Sequence, residues 1–299
     1  MSNSEESRAP LLTAIVPVND VNNRIHFLMQ WLKDCSNPDI RVILVHDTGV
    51  AVERILLKEF VSKLAMPNIK IIEVSLGSPG KSRNAGIAHV DTPFVCFWDS
   101  DDFPHVAIVL DKLLTLNTET DVLIGQFNVD NQETIGRAYA KSTNHNLASI
   151  YSTNPGLWRM IFSSSLVRNL HFSEHRIAED QLFLSRLEMA DLNYTIIEDS
   201  LYTYIHHQNL RLTQSISAYP DLIAVQGELI NVLSKQSSEN KSLTSILLVR
   251  VFLAGLKRMS FGMKLASIHV FLPLLITPTN AVLIIHAMAM VTKYRLVRK

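Results

Sequence analysis

Cysteine is almost absent from this chain of 299 residues, which contains only Cys35 and Cys96. Two cysteines inside apolar segments supply neither a disulfide framework nor the ligand spacing of a zinc site. We interpret both as small buried hydrophobic residues of a protein in a reducing compartment. Residues 1–8 also lack the apolar stretch of a signal peptide, so we expect a cytoplasmic location.

A net charge is also missing, because 28 Lys and Arg residues balance 28 Asp and Glu residues. Nucleic-acid-binding domains usually carry a basic surplus, so nucleic acid is not an expected partner. The balance is uneven, however: residues 1–239 carry a net −9, and residues 240–299 contain nine basic residues and no acidic one. Such an asymmetry predicts two parts that meet different surroundings.

Apolar runs alternate with amphipathic stretches between residues 11 and 130. The runs at 12–18, 41–45, 69–74 and 94–98 predict strands, and apolar residues at helical spacing between them predict helices. This alternation predicts an α/β fold with a mostly parallel, Rossmann-like sheet flanked by helices. Ligands of such sheets bind beyond the carboxyl ends of the strands, which directs attention to the residues that follow each run.

Asp99, Asp101 and Asp102 follow the run at 94–98 directly. Three neighbouring carboxylates repel one another unless a cation neutralises them, and oxygen ligands suit Mg²⁺ or Mn²⁺. The alternative is a solvated helix N-terminus, where aspartate is favoured by capping and by the helix dipole. The sequence pattern alone leaves both interpretations open.

Three other phosphate or metal sites fail on spacing. A calcium loop would need glycine and glutamate where Pro104 and Leu110 stand. The segment that ends in Gly80-Lys-Ser82 is close to a P-loop, but Ser75 stands in place of the first glycine. A phosphatase of the haloacid dehalogenase type would need Thr or Val in place of Phe103.

Five motifs follow one another along the chain, namely Ile15-Val-Pro-Val18, Val45-His-Asp-Thr-Gly49, Gly80-Lys-Ser-Arg-Asn-Ala-Gly-Ile87, Asp99-Ser-Asp-Asp102 and Arg176-Ile-Ala-Glu-Asp180. In this order they resemble the motifs of the family 2 glycosyltransferases, which have the GT-A fold, and the resemblance spans roughly residues 11–215. Each motif is weakly specific alone, and the ordered set is specific. Two departures are His46, where the family often has an acid, and Asn19-Asp20, where it usually has Tyr-Asn.

The resemblance implies transfer of a sugar from a nucleotide diphosphate donor, expected to be UDP-linked, to an acceptor hydroxyl. It also implies inversion, a Mn²⁺ or Mg²⁺ cofactor, and a role in surface polysaccharide or glycolipid synthesis, with a glycan or lipid-linked acceptor. The alternatives are a nucleotide-sugar-binding module without catalysis and a nucleotidyltransferase. The N-terminal glycine-rich loop expected of a nucleotidyltransferase is absent from the sequence.

The resemblance also assigns the residues of the donor site. Asp101 would hold the metal ion, together with Asp99, Asp102 and His207. Arg211 and Ser215 would contact the diphosphate. The cations among the nucleotide-binding residues could equally be ordinary surface charges. The nucleotide-sugar contacts would come from Pro17, Asp47, Lys81, Arg83, Asn84, Asp99 and Ser100.

Asp180 is the candidate general base, which would take the proton of the acceptor hydroxyl during attack. Glu179 would tune that base or hold the acceptor. The alternative for both is an ordinary helix first turn rich in acids. Trp158 could stack on a sugar or belong to the core, and the sequence does not decide between them.

The sequence predicts a flexible N-terminus at 1–10 and a GT-A catalytic domain at 11–220. That domain divides into a nucleotide-binding half at 11–130 and an acceptor half at 131–220. A basic, apolar helical extension follows at 221–299. We expect peripheral contact of residues 240–299 with the inner face of the cell membrane. A cap on the core or a dimer surface are the alternatives for this extension.

Overall fold

The computed structural model describes residues 9–131, 140–141, 145–206 and 218–296. Most of the N-terminus predicted to be flexible therefore lies outside the described residues. The chain forms two compact units, which we call the sheet unit and the helical unit. The sheet unit is built from Met1–Ser142, Leu157–Asn169 and Asn193–His206, and the helical unit from Thr143–Gly156, Leu170–Leu192 and His207–Lys299.

Nine strands in the described residues form one sheet in the order β3-β2-β1-β4-β8-β6-β9-β5, with β7 paired to β6. The strands are β1 (Leu12–Val18), β2 (Ile40–Asp47), β3 (Ile69–Val74), β4 (Phe94–Phe97), β5 (Phe103–Pro104), β6 (Val122–Asn131), β7 (Ala140–Lys141), β8 (Met160–Ser163) and β9 (Tyr194–His206).

Twelve α-helices accompany the sheet in the described part of the chain, and five of them, α1 to α4 and α6, belong to the sheet unit. The helices are α1 (Val21–Trp31), α2 (Ala51–Leu64), α3 (Pro79–Ile87), α4 (Val106–Leu114), α5 (Leu147–Thr153), α6 (Ser164–Val167), α7 (Glu179–Arg186), α8 (Tyr219–Lys235), α9 (Ser238–Arg258), α10 (Phe261–Phe271), α11 (Pro273–Ile276) and α12 (Pro278–Leu296).

The first four strands pair in parallel, which confirms the expected α/β architecture. β1 lies between β2 and β4 and is apolar almost throughout, as a central strand covered on both faces must be. The other half of the sheet is mixed: β8 runs antiparallel to β4 and β6, whereas β6 and β9 are parallel. In the order β3-β2-β1-β4, the strands β2 and β3 follow on one side of β1 and β4 lies on its other side. Open α/β sheets form a ligand crevice at such a change of side.

Helix α3 packs closely on β1 at Gly86. A Cβ atom at this position would come within 2.5 Å of Ile15 Cγ2, so any larger residue would force the helix outward. Pro79 fits the first turn of α3, where its missing N–H has no acceptor to serve. This packing holds Arg83 and Asn84, which precede Gly86, at the carboxyl edge of the parallel strands.

In the helical unit, α9 packs against α5, α8 and α12, and α7 contacts both α8 and α9. The boundary predicted at residue 220 falls inside the helical unit, which also contains residues 143–156 and 170–192. Within this unit α9 contacts α5 and α7, and its side chains Leu247 and Val251 are buried.

Apolar side chains remain exposed on the last three helices, where Phe261 and Ile276 keep 77% and 80% of their surface accessible. Leu265 and Leu272 lie at helical spacing between them and are also exposed. Among the described helices, none is both long enough and apolar enough to span a membrane. The apolar sequence 265–291 is thus divided between short helices instead of forming one continuous span.

Candidate functional site

Asp47 at the end of β2 organises the loop between β3 and α3. Its carboxylate accepts hydrogen bonds from the backbone N–H groups of Leu76 and Gly77, at 2.6 and 3.1 Å, and from the Ser82 hydroxyl at 2.7 Å. Burial alone would raise the pKa of Asp47, but these hydrogen bonds to the charged form outweigh it and lower the pKa. Asp47 therefore stays ionised and holds the loop between β3 and α3 in place.

Arg83 and Asp99 form an ion pair at the same edge of the sheet. Arg83 Nη2 lies 3.0 Å from Asp99 Oδ1, with the guanidinium buried and the carboxylate partly exposed. The buried cation fixes the orientation of Asp99 and leaves part of its carboxylate accessible. The neighbouring predicted residues Pro17, Lys81 and Asn84 are half-buried at this edge.

Asp102 is a structural member of the acidic loop, with only 2% of its surface exposed. Its Oδ1 accepts the backbone N–H of Ile205 at 2.7 Å, and its Oδ2 accepts the Tyr202 hydroxyl at 3.1 Å. The Tyr202 oxygen in turn accepts the backbone N–H of Asp99 at 3.1 Å. Burial, followed by the Asp102 charge, raises the pKa of Tyr202, which keeps its hydroxyl protonated as a donor. Ser100 between these residues is also buried.

Asp101 forms an ion pair with Arg24, and both side chains are mostly buried. Burial lowers the pKa of Arg24, while the charges of Asp99, Asp20 and Asp102 act against this shift. Arg24 is a residue that the sequence motifs did not identify, because it lies in α1, far from the acidic loop along the chain. Its position in the first turn of α1 could have indicated this contact. Helix α1 follows β1, and the carboxyl ends of the parallel neighbours β1 and β4 lie at the same edge of the sheet.

A divalent ion at this edge would have carboxylate oxygens of Asp101 and Asp99 as its protein donor atoms, since both oxygens of Asp102 accept protein hydrogen bonds. Among residues 9–131, 140–141, 145–206 and 218–296, no group of three or more His, Cys, Asp or Glu side chains is arranged around a common point. Two carboxylates nevertheless fit an ion such as Mg²⁺, which commonly takes its other ligands from substrate phosphates and water.

Trp158 belongs to the core of the sheet unit, with 8% of its surface exposed. This is the core interpretation that the sequence offered beside stacking on a sugar. Its ring stacks against Tyr202 and Tyr204, with centroids 4.7 and 5.5 Å apart, and meets Phe127 edge-on. These aromatic contacts occupy the faces that a sugar would need.

Glu179 and Asp180 begin helix α7 in the helical unit. Ala178 directly before them has φ +63°, a left-handed conformation that is strained for a residue with a side chain. Glu179 is buried, whereas Asp180 is partly exposed and its Oδ1 accepts the backbone N–H of Gln181 at 2.8 Å. Strain of this kind persists only where surrounding contacts enforce it.

Asp221 supplies one such contact, and the motifs did not identify it. Its Oδ2 accepts hydrogen bonds from the backbone N–H of Arg176 at 2.9 Å and from Arg176 Nε at 3.1 Å. Burial raises the pKa of Asp221, but these interactions with Arg176 lower it overall, so the carboxylate remains charged. The first turn of α8 thereby fixes the loop that leads to Asp180. His207, Arg211 and Ser215 lie outside the described residues.

His46 on β2 predicts a pH dependence of stability. Burial lowers the pKa of its imidazole, and its Nε2 has no hydrogen-bond partner among the described residues. Because the unfolded chain binds a proton more readily, the contribution of neutral His46 is complete above about pH 6.5 and is lost as the pH falls below it. We expect a lower free energy of unfolding at pH 5.5 than at pH 7.5 by urea denaturation.

The variant His46→Leu is expected to reduce this pH dependence. A smaller pH dependence of stability should remain, because burial, together with the charge of Arg24, also lowers the pKa of His26. A pH dependence identical in His46→Leu and in the unmodified protein would contradict the assignment to His46.

Known glycosyltransferases resemble this chain in sequence and in fold. Residues 13–178 match the model of Glycosyl transferase family 2. The poly(ribitol-phosphate) beta-N-acetylglucosaminyltransferase TarS of Staphylococcus aureus is 25% identical over 205 residues, which are 64% of this chain and 35% of TarS. The putative glycosyltransferase EpsH of Bacillus subtilis is 23% identical over 219 residues, 66% of this chain and 61% of EpsH. The chain thus spans about a third of the length of TarS.

Two solved structures share the fold. The crystal structure of S. aureus TarS 1-349 in complex with UDP-GlcNAc has a TM-score of 0.67 at 18% identity and covers 95% of this chain and 89% of its own. The mannosyltransferase PcManGT of Pyrobaculum calidifontis, in complex with GDP-Man and Mn²⁺, has a TM-score of 0.52 at 10% identity and covers 98% and 89%. The family match takes in more than half of the chain, including the motifs at 15–18, 45–49, 80–87 and 99–102, and the chain therefore belongs to glycosyl transferase family 2.

Proposed function

We propose that this glycosyltransferase uses a UDP-linked sugar and transfers it with inversion to an acceptor hydroxyl. The observation that carries the proposal is the group of charged side chains at the carboxyl edge of β1, β2 and β4. There Asp47 organises a loop, Arg83 orients Asp99, and Asp101 is paired with Arg24. This is the edge at which an open α/β sheet binds a nucleotide.

The choice of a UDP-linked donor is supported by TarS, whose structure contains UDP-GlcNAc. In this chain the oxygens of Asp47 accept bonds from Leu76, Gly77 and Ser82. We infer that Asp47 acts on the nucleotide base through the loop 75–78, whose backbone it holds. Asp99 keeps an accessible part of its carboxylate for the ribose hydroxyls.

For the reaction itself we assign Asp180 as general base. Its carboxylate accepts the proton of the acceptor hydroxyl as the oxygen attacks the anomeric carbon, and the bond from that carbon to the diphosphate breaks. Glu179 tunes this base or holds the acceptor, and the Arg176–Asp221 contact fixes the loop that leads to Asp180. Asp101, with Asp99, would hold Mn²⁺ or Mg²⁺, which offsets the negative charge that develops on the leaving diphosphate.

As acceptor we propose a polymer or lipid-linked glycan of the cell surface. This proposal is supported by TarS, which is named as acting on poly(ribitol-phosphate).

The proposal is tested by the thermal stability of the full chain with a panel of nucleotide sugars, each with and without Mn²⁺. We expect a rise in Tm with UDP-sugars that is larger in the presence of Mn²⁺, because a ligand that binds only the folded state stabilises it. The absence of a shift with every nucleotide sugar would contradict the donor site. Binding without turnover on any acceptor would indicate a non-catalytic binding module. Release of pyrophosphate from a nucleoside triphosphate and a sugar phosphate would indicate a nucleotidyltransferase.

We also propose that the last helices bind the inner face of the cell membrane. Residues 240–299 contain no acid, and Lys257 and Lys293 are exposed beside the apolar residues of α10 to α12. A surface of exposed apolar and basic side chains suits an anionic bilayer. A second copy of the chain fits less well, because it would bring the same positive charge. We define this tail surface as Lys257, Phe261, Lys264, Leu265, Leu272, Ile276, Val282, Ile285 and Lys293.

Co-sedimentation with vesicles tests this contact. The full chain is expected to sediment with phosphatidylglycerol vesicles and not with phosphatidylcholine vesicles. The double variant Phe261→Ser/Ile276→Ser should lose this binding, whereas Val52→Ser, at an equally exposed apolar residue of α2, should keep it. Equal sedimentation of all three proteins, or a dimer in solution that only the double variant loses, would contradict the proposal.

A further inference from the structure

Arg24 is a buried cation among four carboxylates of the sheet unit. Its guanidinium contacts the carboxylate of Asp101, and both groups are largely shielded from water. The charges of Asp99, Asp20 and Asp102 favour its protonated form against the effect of burial. Shielded charges of opposite sign interact more strongly than exposed ones. The acidic loop thus already has a positive partner of its own.

This contact bears directly on metal binding. The carboxylate of Asp102 accepts hydrogen bonds from Tyr202 and Ile205, so a divalent ion at this edge would be held by Asp101 and Asp99. A cation that approaches Asp101 meets the Arg24 guanidinium on the same carboxylate. Two positive groups in contact with one carboxylate repel each other, and the ion binds fully only when the guanidinium withdraws.

We propose that Arg24 is a resident counter-ion of Asp101 that competes with the divalent ion and so sets the affinity of the site for metal. The inference rests on the proposed metal site and goes beyond it, since it assigns a positioning role to a residue of α1. In the absence of metal, Arg24 keeps the acidic loop neutralised and folded. In its presence, the gain from the ion must exceed the loss of the Arg24–Asp101 contact.

The test is Mn²⁺ binding to the full chain without nucleotide, measured by electron paramagnetic resonance of the free ion. Arg24→Gln removes the charge and keeps a polar side chain that is too short to replace the guanidinium, and it is expected to lower the Kd for Mn²⁺ about tenfold, equivalent to about 1.4 kcal/mol. Arg24→Lys keeps the charge but loses the planar fork, so we expect an intermediate Kd. The matched control is Arg41→Gln, which removes an exposed arginine paired with Asp91 and should leave the Kd unchanged.

A gain in affinity that needs the Asp101 carboxylate and leaves the urea denaturation midpoint unchanged separates competition from a purely structural role. An unchanged or higher Kd in both Arg24→Gln and Arg24→Lys would overturn the inference while the metal site stands. A gain that persists when Asp101→Asn is added to Arg24→Gln would also overturn it, because the ion would then not bind at Asp101. If neither the unmodified protein nor Arg24→Gln binds Mn²⁺ alone, the inference fails. The proposed metal site fails with it if Mn²⁺ also leaves the rise in Tm with UDP-sugars unchanged.

Discussion

Asp180→Asn is expected to lower kcat for sugar transfer about 10³-fold, because removal of a general base typically costs 10²- to 10⁴-fold. The amide keeps the size of the side chain but cannot accept the proton of the acceptor hydroxyl. Asp180 belongs to the helical unit, whereas Asp47, Arg83 and Asp99 of the proposed nucleotide site lie in the sheet unit. We therefore expect the Kd for the UDP-sugar to stay within about twofold of the unmodified value, a difference below 0.5 kcal/mol. The measurements are initial rates of UDP release with acceptor and equilibrium donor binding.

Glu239→Gln is the matched control for this substitution. Glu239 lies in the first turn of α9, as Asp180 lies in the first turn of α7, so both acids gain equally from the helix dipole. If Asp180 were only a favourable acid at a helix start, both variants would retain nearly full activity. That outcome would contradict the assignment of Asp180 as the base.

Asp102→Ala is expected to lower the free energy of unfolding by about 3 kcal/mol, because two buried donors lose a charged acceptor. The donors are the backbone N–H of Ile205 and the hydroxyl of Tyr202. Asp102→Asn keeps one acceptor oxygen and should cost less. Urea denaturation at neutral pH measures both differences.

Asp111→Ala is the control for the stability prediction. Asp111 lies on α4 with 69% of its side chain exposed, so its removal should change the free energy of unfolding by less than about 0.5 kcal/mol. A cost for Asp102→Ala as small as that for Asp111→Ala would show that the buried acceptor contributes nothing. A normal stability accompanied by loss of Mn²⁺ binding would instead favour Asp102 as a metal ligand.

The parallel half of the sheet could be predicted because its strands are short and mostly apolar. β9 was less predictable: the sequence indicates two strands, at 194–197 and 201–205, separated by the polar residues 198–200. In the structure one strand runs through them, and its pairing with β6 shifts register between Ile124 and Phe127. Pairing between segments about 70 residues apart decides such a bulge, and periodicity within one segment does not report it.

The acidic loop illustrates the same limit for the site. The spacing of Asp99, Asp101 and Asp102 predicts a group of carboxylates, but it does not distinguish their roles. Those roles come from partners distant in the chain, namely Arg83, Arg24 and Tyr202. The division of labour among the three acids therefore becomes visible only in the folded sheet unit.

The last helices mark a different limit. Their apolar and basic composition is evident in the sequence, and it predicts helices with an unusual surface. Composition cannot say which apolar residues are buried: Phe271 and Leu274 pack inward, whereas Phe261 and Ile276 point outward. Only the packing of α10 to α12 within the helical unit separates the two sets.

Hydrogen–deuterium exchange of the full chain with and without UDP is the most direct test of the donor site. We predict slower exchange upon UDP addition in peptides that cover 45–49, 75–87 and 97–102, where Asp47, Arg83 and Asp99 lie. Peptides from α9 to α12 should exchange at the same rate in both conditions. Protection confined to the helical unit, with no change at the carboxyl edge of β1, β2 and β4, would contradict the account.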